Sequence, residues 1–272
     1  MMSSNDNNRK DREDSIETHY ETTLGEVYTW MYGSFDMNYK KYKTLFQEHN
    51  IRPSIPNVIA IDLGAGSGFQ SIPLANLGYE VHAYDLSYTL LHELKENYAM
   101  VKAKTKAKQE EKEATTTNQV EPGGGSIVTF HEDMLNFPQN LQLRQNAAEQ
   151  VVVDETTNNE SAGCTTAASV ELIVCMVDTL LHLPSIDAVK ELLTKCYNTL
   201  VMSSSKGGGK LILSFRDLKT YELKGTDRFI NVRNDENTIF TCFLEYNNAN
   251  DDDDDDDKVL VHDIIQIGRA HV

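Results

Sequence analysis

The chain has 272 residues, of which 40% are hydrophobic, and a net charge of −17; the aspartate run at 251–257 supplies seven of those charges and leaves −10 elsewhere. Such a length buries a substantial core, and such a charge repels phosphate backbones, which disfavours bulk nucleic acid and favours a small molecule or a protein as partner. With no run of about 18 apolar residues and no signal or transit character in "MMSSNDNNRKDREDS", the chain is expected to avoid membranes and to work in the cytoplasm.

Residues 1–14 are expected to form a disordered tail, and 15–50 two helices carrying Tyr20, Tyr28, Trp30, Tyr32 and Tyr39, an aromatic set suited either to a lid or to plain helix packing. Apolar runs at 57–63, 79–84, 126–131, 170–177 and 209–215 have strand length, and amphipathic stretches separate most of them. This alternation predicts an α/β fold: a doubly wound, mostly parallel sheet with helices on both faces. One helix is read in "LSYTLLHELKENY", with a stripe of Leu90, Leu91, Leu94 and Tyr98. Another is read in "SIDAVKELLTKCYNTLV", with Ile186, Val189, Leu192, Leu193, Cys196 and Leu200 on one face.

Three polar segments, 102–126, 139–169 and 247–257, are too long for ordinary loops and are expected to be disordered insertions in a single domain spanning 15–266. The runs 238–247 and 258–266 predict an antiparallel hairpin at the C-terminal edge. The last six residues, "IGRAHV", match the translation of a common sequencing-adapter read, so the natural sequence is expected to diverge near residue 267. Cys164, Cys175, Cys196 and Cys242 form no CxxC pair and are expected to be ordinary buried thiols; no metal site is expected.

The stretch that carries chemistry is "NVIAIDLGAGSGFQSIPLANLGYEVHAYDLS", 57–87. Ligands of parallel sheets sit at the carboxyl ends of the strands, and glycines at 64, 66 and 68 let the backbone after the first strand turn tightly and approach a ligand closely. Asp85 follows Gly64 by 21 residues, about the distance at which such folds place an acid on ribose hydroxyls. The dinucleotide pattern GxGxxG is not met, because Phe69 stands where it needs glycine. Asp62, just before the first glycine, opposes a pyrophosphate but suits a cationic ammonium.

These residues resemble motif I ("IDLGAGSG") and the acidic loop ("AYDLS") of the class I S-adenosylmethionine-dependent methyltransferases. The resemblance covers 57–87 strongly and 126–218 more loosely. It implies a seven-stranded sheet of order 3-2-1-4-5-7-6 with the last strand antiparallel, and S-adenosylmethionine as cofactor. It places Asp62 at the methionine ammonium, the backbone of Gly64, Ala65, Gly66 and Gly68 along the methionine tail, Asp85 with Leu86 at the ribose, and Asp133 with Met134, in "FHEDMLNF", near the adenine. It also sets "CMVDTLLHLPS" on the substrate side, with Met176, near its start, among the cofactor-binding residues. Each acid has an alternative reading as a loop solvator or helix cap.

Methyl transfer from a sulfonium needs alignment more than acid–base help, and a base only where the acceptor arrives protonated. Asp178 and His182, four residues apart beyond the fourth strand, are the catalytic candidates, since one helical turn puts both on one side; His182 could equally be tied structurally to a loop carbonyl. The segment lacks a [DN]PP[YF] motif, which lowers nucleobase and glutamine substrates. The function expected is methyl transfer to a small molecule, or to a protein. A non-catalytic adenosylmethionine-binding regulator and a NAD-dependent oxidoreductase are the alternatives.

Overall fold

The computed structural model describes residues 18–25, 27–55, 58–113, 124–137, 169–203, 208–218, 220–246 and 259–268. The expected tail at 1–14 lies outside them, as do most of the insertions at 139–169 and 247–257 and the final 269–272. The span expected as one domain divides into two compact units. The first is Met1–Glu26 with Phe35–Phe215, and the second is Val27–Ser34 with Arg216–Val272.

The first unit is built on five parallel strands, β1 (Ile59–Leu63), β2 (Glu80–Asp85), β3 (Ser126–His131), β4 (Val170–Cys175) and β5 (Lys210–Leu213), in the order β3-β2-β1-β4-β5. β1 is buried along its whole length, as a central parallel strand covered on both faces must be, whereas the edge strands β3 and β5 are only partly covered. Ile59, Ile61 and Leu63 pack with Ile173, Cys175, Leu192 and Cys196 in one hydrophobic core. The helices are α1 (Phe35–Glu48), α2 (Ser71–Asn76), α3 (Tyr88–Glu113) and α4 (Ile186–Ser203).

α3 buries Leu90, Leu91 and Leu94, and its Tyr98 hydroxyl donates to Gly125 O at 2.8 Å. It continues to Glu113, into a segment read from the sequence as a disordered insertion. "KAKTKAKQEEKE" is polar but made almost wholly of good helix formers, so propensity extends the helix beyond the buried Val101, with Lys102 to Ala107 exposed. On α4 the buried face is Ala188, Leu192, Cys196, Thr199 and Leu200; Ile186, at the first turn, is exposed rather than part of the stripe.

The second unit is a separate three-stranded antiparallel sheet, β6 (Phe229–Asn234), β7 (Thr238–Tyr246) and β8 (Val259–Ile267), in the order β6-β7-β8. This corrects the expected seven-stranded sheet: the hairpin pairs with β6, which went unread because "FINVRN" is half polar. β8 runs to Ile267, opposite Thr238, one residue past the expected end of natural sequence. Phe240, Cys242 and Leu244 alternate as the buried face of β7. Within this unit, Trp30 Nε1–H donates to Asp235 Oδ2 at 2.8 Å, and the Arg233 guanidinium donates to the carbonyls of Trp30 and Gly33 and covers the Trp30 ring.

Candidate functional site

β1 ends at Leu63 and the chain turns through Gly64, Gly66 and Gly68, with φ of +73°, +51° and +91°. These left-handed values are why glycine stands at each place. At Gly64 a second constraint acts, because a Cβ would lie 2.2 Å from Thr179 Cγ2. The loop is anchored to the end of β2: the N–H groups of Gly64 and Ala65 both donate to Tyr84 O, at 2.8 and 2.9 Å.

Asp85, half-buried at the end of β2, holds the same loop. Its Oδ2 accepts from Gly66 N–H at 2.7 Å and its Oδ1 from Ser87 N–H at 2.8 Å. Burial raises its pKa above the ordinary carboxylate value, against the hydrogen bonds from Ser87 and Gly66 and the nearby His131. His131 in turn is fixed by a 2.8 Å hydrogen bond between Nε2 and Leu86 O.

Asp62 is the outstanding polar group of the site. It is 1% exposed within β1, its Oδ2 accepts from Ser71 Oγ at 2.6 Å, and its Oδ1 has no hydrogen-bond partner. A buried acceptor left unpaired costs free energy, so it points to a ligand that supplies a donor. Burial drives the Asp62 pKa up to about 7, with Asp85 adding to the rise and Ser71 opposing it. Tyr42 of α1 is buried beside this group; its hydroxyl bonds Gln70, and its pKa is raised by burial and by Asp62 and Asp178.

A raised carboxyl pKa at Asp62 means that the folded state holds a proton which the unfolded chain has released, from about pH 4 up to about pH 7. This contribution to stability is greatest at the acid end and is lost as pH rises through about 7. Urea midpoints of the wild type and Asp62→Asn, compared at pH 5 and pH 8, are expected to move in favour of the variant at the higher pH. Binding of an ammonium-bearing ligand carries the opposite sign, since it needs the charged carboxylate: affinity is expected to fall as pH drops below about 7.

The other expected residues sit as follows. Asp133 is buried and its Oδ1 accepts from Leu135 N–H at 2.6 Å, capping the short turn Met134–Asn136, which is the capping role left open by the sequence; Met134 packs in the core. Met176 is buried at the end of β4, and Val177 after it has φ +62°, a strained value for a β-branched residue that no sequence signal reveals. Its N–H donates to Ser214 Oγ at 2.8 Å.

Asp178 and His182 bracket a 3-10 turn, Thr179–His182, instead of the α-helical turn expected; in a 3-10 turn residues three apart align, so the two do not share a side by helical phase. His182 meets Tyr20, whose hydroxyl lies 3.1 Å from Nε2. In the sequence Tyr20 is one of a set of aromatics, and no spacing marks Glu21, Ser71 or Gln70. Among the described residues no group of three or more His, Cys, Asp or Glu side chains is placed to hold a metal ion, and no helix is long and apolar enough to cross a membrane.

No family model and no curated protein matches the chain. Among solved structures it is similar to the CcbJ methyltransferase of Streptomyces caelestis, with 16% identity and a TM-score of 0.49, covering 82% of this chain and 65% of that one, just under two thirds of its length. It is also similar to magnesium protoporphyrin IX methyltransferase of Synechocystis PCC 6803 with bound SAM, at 16% identity and a TM-score of 0.45 over 85% and 90% of the two chains. A third similarity is to an S-adenosylmethionine-dependent methyltransferase of Clostridium acetobutylicum ATCC 824, at 14% identity and a TM-score of 0.45 over 85% and 75%.

Proposed function

We propose that the chain is an S-adenosylmethionine-dependent methyltransferase that acts on a small molecule by in-line transfer. One observation carries the reading: the unpaired, buried Asp62 Oδ1 at the end of β1, directly before three left-handed glycines and beside Asp85 on the neighbouring strand. Two acids flanking a glycine loop suit a ligand that joins an ammonium to a ribose, and they oppose the pyrophosphate of NAD.

Asp62 receives the ammonium in this reading, and the backbone of 64–68, including Ala65, lines the amino-acid tail. Asp85 and Leu86 take the ribose, Asp133 and Met134 the adenine end, and Met176 completes the cofactor-binding set. Adenosylmethionine supplies a methyl group already activated on a sulfonium. The chain's own work is therefore to orient the two reactants and exclude water. Where the acceptor carries a proton, Asp178 or His182 takes it.

The test is transfer of tritium-labelled methyl to fractions of a cell extract. Label is expected in the small-molecule fraction. Asp178→Ala and His182→Ala are expected to lower that labelling while adenosylhomocysteine binding stays within a few-fold. Label confined to protein would replace the acceptor class, and no label anywhere with binding intact would favour a non-catalytic regulator.

A further inference from the structure

The adjacent residues Tyr20 and Glu21 reach two different parts of the first unit. Tyr20 meets His182 through the 3.1 Å hydrogen bond at Nε2 and an edge-to-face ring contact with centroids 5.8 Å apart. The Glu21 carboxylate accepts three hydrogen bonds, from Ser87 Oγ at 2.8 Å, Thr89 N–H at 2.9 Å and Thr89 Oγ1 at 2.5 Å. Ser87 and Thr89 follow Asp85 at the end of β2, and His182 follows the end of β4. β1 lies between those two strands in the sheet, so the turn Tyr20–Leu24 bridges the neighbours of the glycine loop on both sides.

The bridge is seated, not loose. Leu24 is 3% exposed, and a Cβ on Gly25 would come within 2.4 Å of Tyr20 O and 3.1 Å of Thr89 Cγ2. Thr89 N–H is one of the first-turn donors of α3 that have no partner inside the helix, so Glu21 supplies a cap from a distant part of the chain. Burial acts to raise the Glu21 pKa, yet the hydrogen bonds from Thr89 and Ser87 together hold it below the ordinary value, which keeps this anchor charged. His182, by contrast, ends a single 3-10 turn, a short element that fixes an imidazole poorly by itself.

We infer that Tyr20 is a positioning residue for the His182 imidazole, and that Glu21 ties it to the Asp85 loop, so that one strap across the glycine loop links the two sides of the site. The assignment of those sides to cofactor and acceptor rests on the proposed methyltransferase reading; the mechanical link does not.

The experiment uses the full chain labelled with ¹⁵N in its histidines, with the His182 ring signals assigned by their loss in His182→Asn. Without ligand, Tyr20→Phe is expected to shift the His182 ring signals, and Glu21→Gln to shift them in the same direction although it does not touch the ring. Signals unchanged in Tyr20→Phe overturn the positioning role, and signals unchanged in Glu21→Gln overturn the strap. Adding adenosylhomocysteine to the wild type is then expected to shift His182, and the response is expected to shrink in both variants while calorimetry shows binding within a few-fold of wild type. A full response in both variants counts against the strap. Absence of any calorimetric binding to the wild type would refute the cofactor reading alone, since the ligand-free comparison decides the strap.

Discussion

Replacing Asp85 by alanine is expected to weaken adenosylhomocysteine binding about 100-fold, because two hydrogen bonds to a charged group contribute roughly 3 kcal/mol together. The carboxylate has a second task, since it also holds the N–H groups of Gly66 and Ser87. Asp85→Asn keeps an acceptor for one of them and is expected to retain more affinity than the alanine variant. Isothermal calorimetry on the three proteins measures this, with circular dichroism to establish that each is folded. Equal affinities in folded variants would remove Asp85 from the site.

Gly64→Ala is expected to produce the largest loss of stability of any single methyl addition in the glycine loop. The left-handed backbone costs an alanine about 1–2 kcal/mol, and crowding into a packed neighbour adds about 1–3 kcal/mol. The neighbour is Thr179, whose Cγ2, Oγ1 and Cβ would lie 2.2, 2.5 and 2.9 Å from the new methyl. It cannot swing away freely, because Oγ1 donates to Met176 O at 3.0 Å. A fall of roughly 10 °C in Tm is expected for a total near 3 kcal/mol. Thr179→Ala in the same chain removes Cγ2 and Oγ1 but keeps the Cβ, so it is expected to restore most of the steric part and leave the backbone part, and a double-mutant cycle measures the share of those two atoms. A Tm unchanged in Gly64→Ala would show that the loop does not hold this conformation.

The parallel sheet was legible because its strands are buried on both faces and read as nearly continuous apolar runs, from 57–63 to 209–215. The glycines and Asp85 were legible because their demand is local: a positive φ, and an acid at the end of the next strand. The second unit was only half legible. β7 alternates cleanly, but "FINVRN" in β6 does not, and its pairing with β7 depends on residues remote in sequence. The length of α3 beyond Val101 is not legible from polarity, which suggests disorder there although helix propensity is high.

The surroundings of His182 and Asp62 were not legible at all. Tyr20 is 162 residues from His182, and the Glu21 anchor on Thr89 spans 68. Neither pair has a spacing that marks it. The strain at Val177 and the empty acceptor on Asp62 arise from tertiary packing, which sets a φ or denies a partner only once the strands have assembled.

In the proposed site, Asp62 and Asp85 together hold an adenosine ligand bearing an ammonium. This is tested most directly by calorimetric titration of the unsubstituted chain at pH 8 with adenosylhomocysteine and, in parallel, with NAD. Saturable one-to-one binding of adenosylhomocysteine, with no comparable heat from NAD, is the predicted result. No binding of adenosylhomocysteine, or binding of NAD at equal or higher affinity, would contradict it.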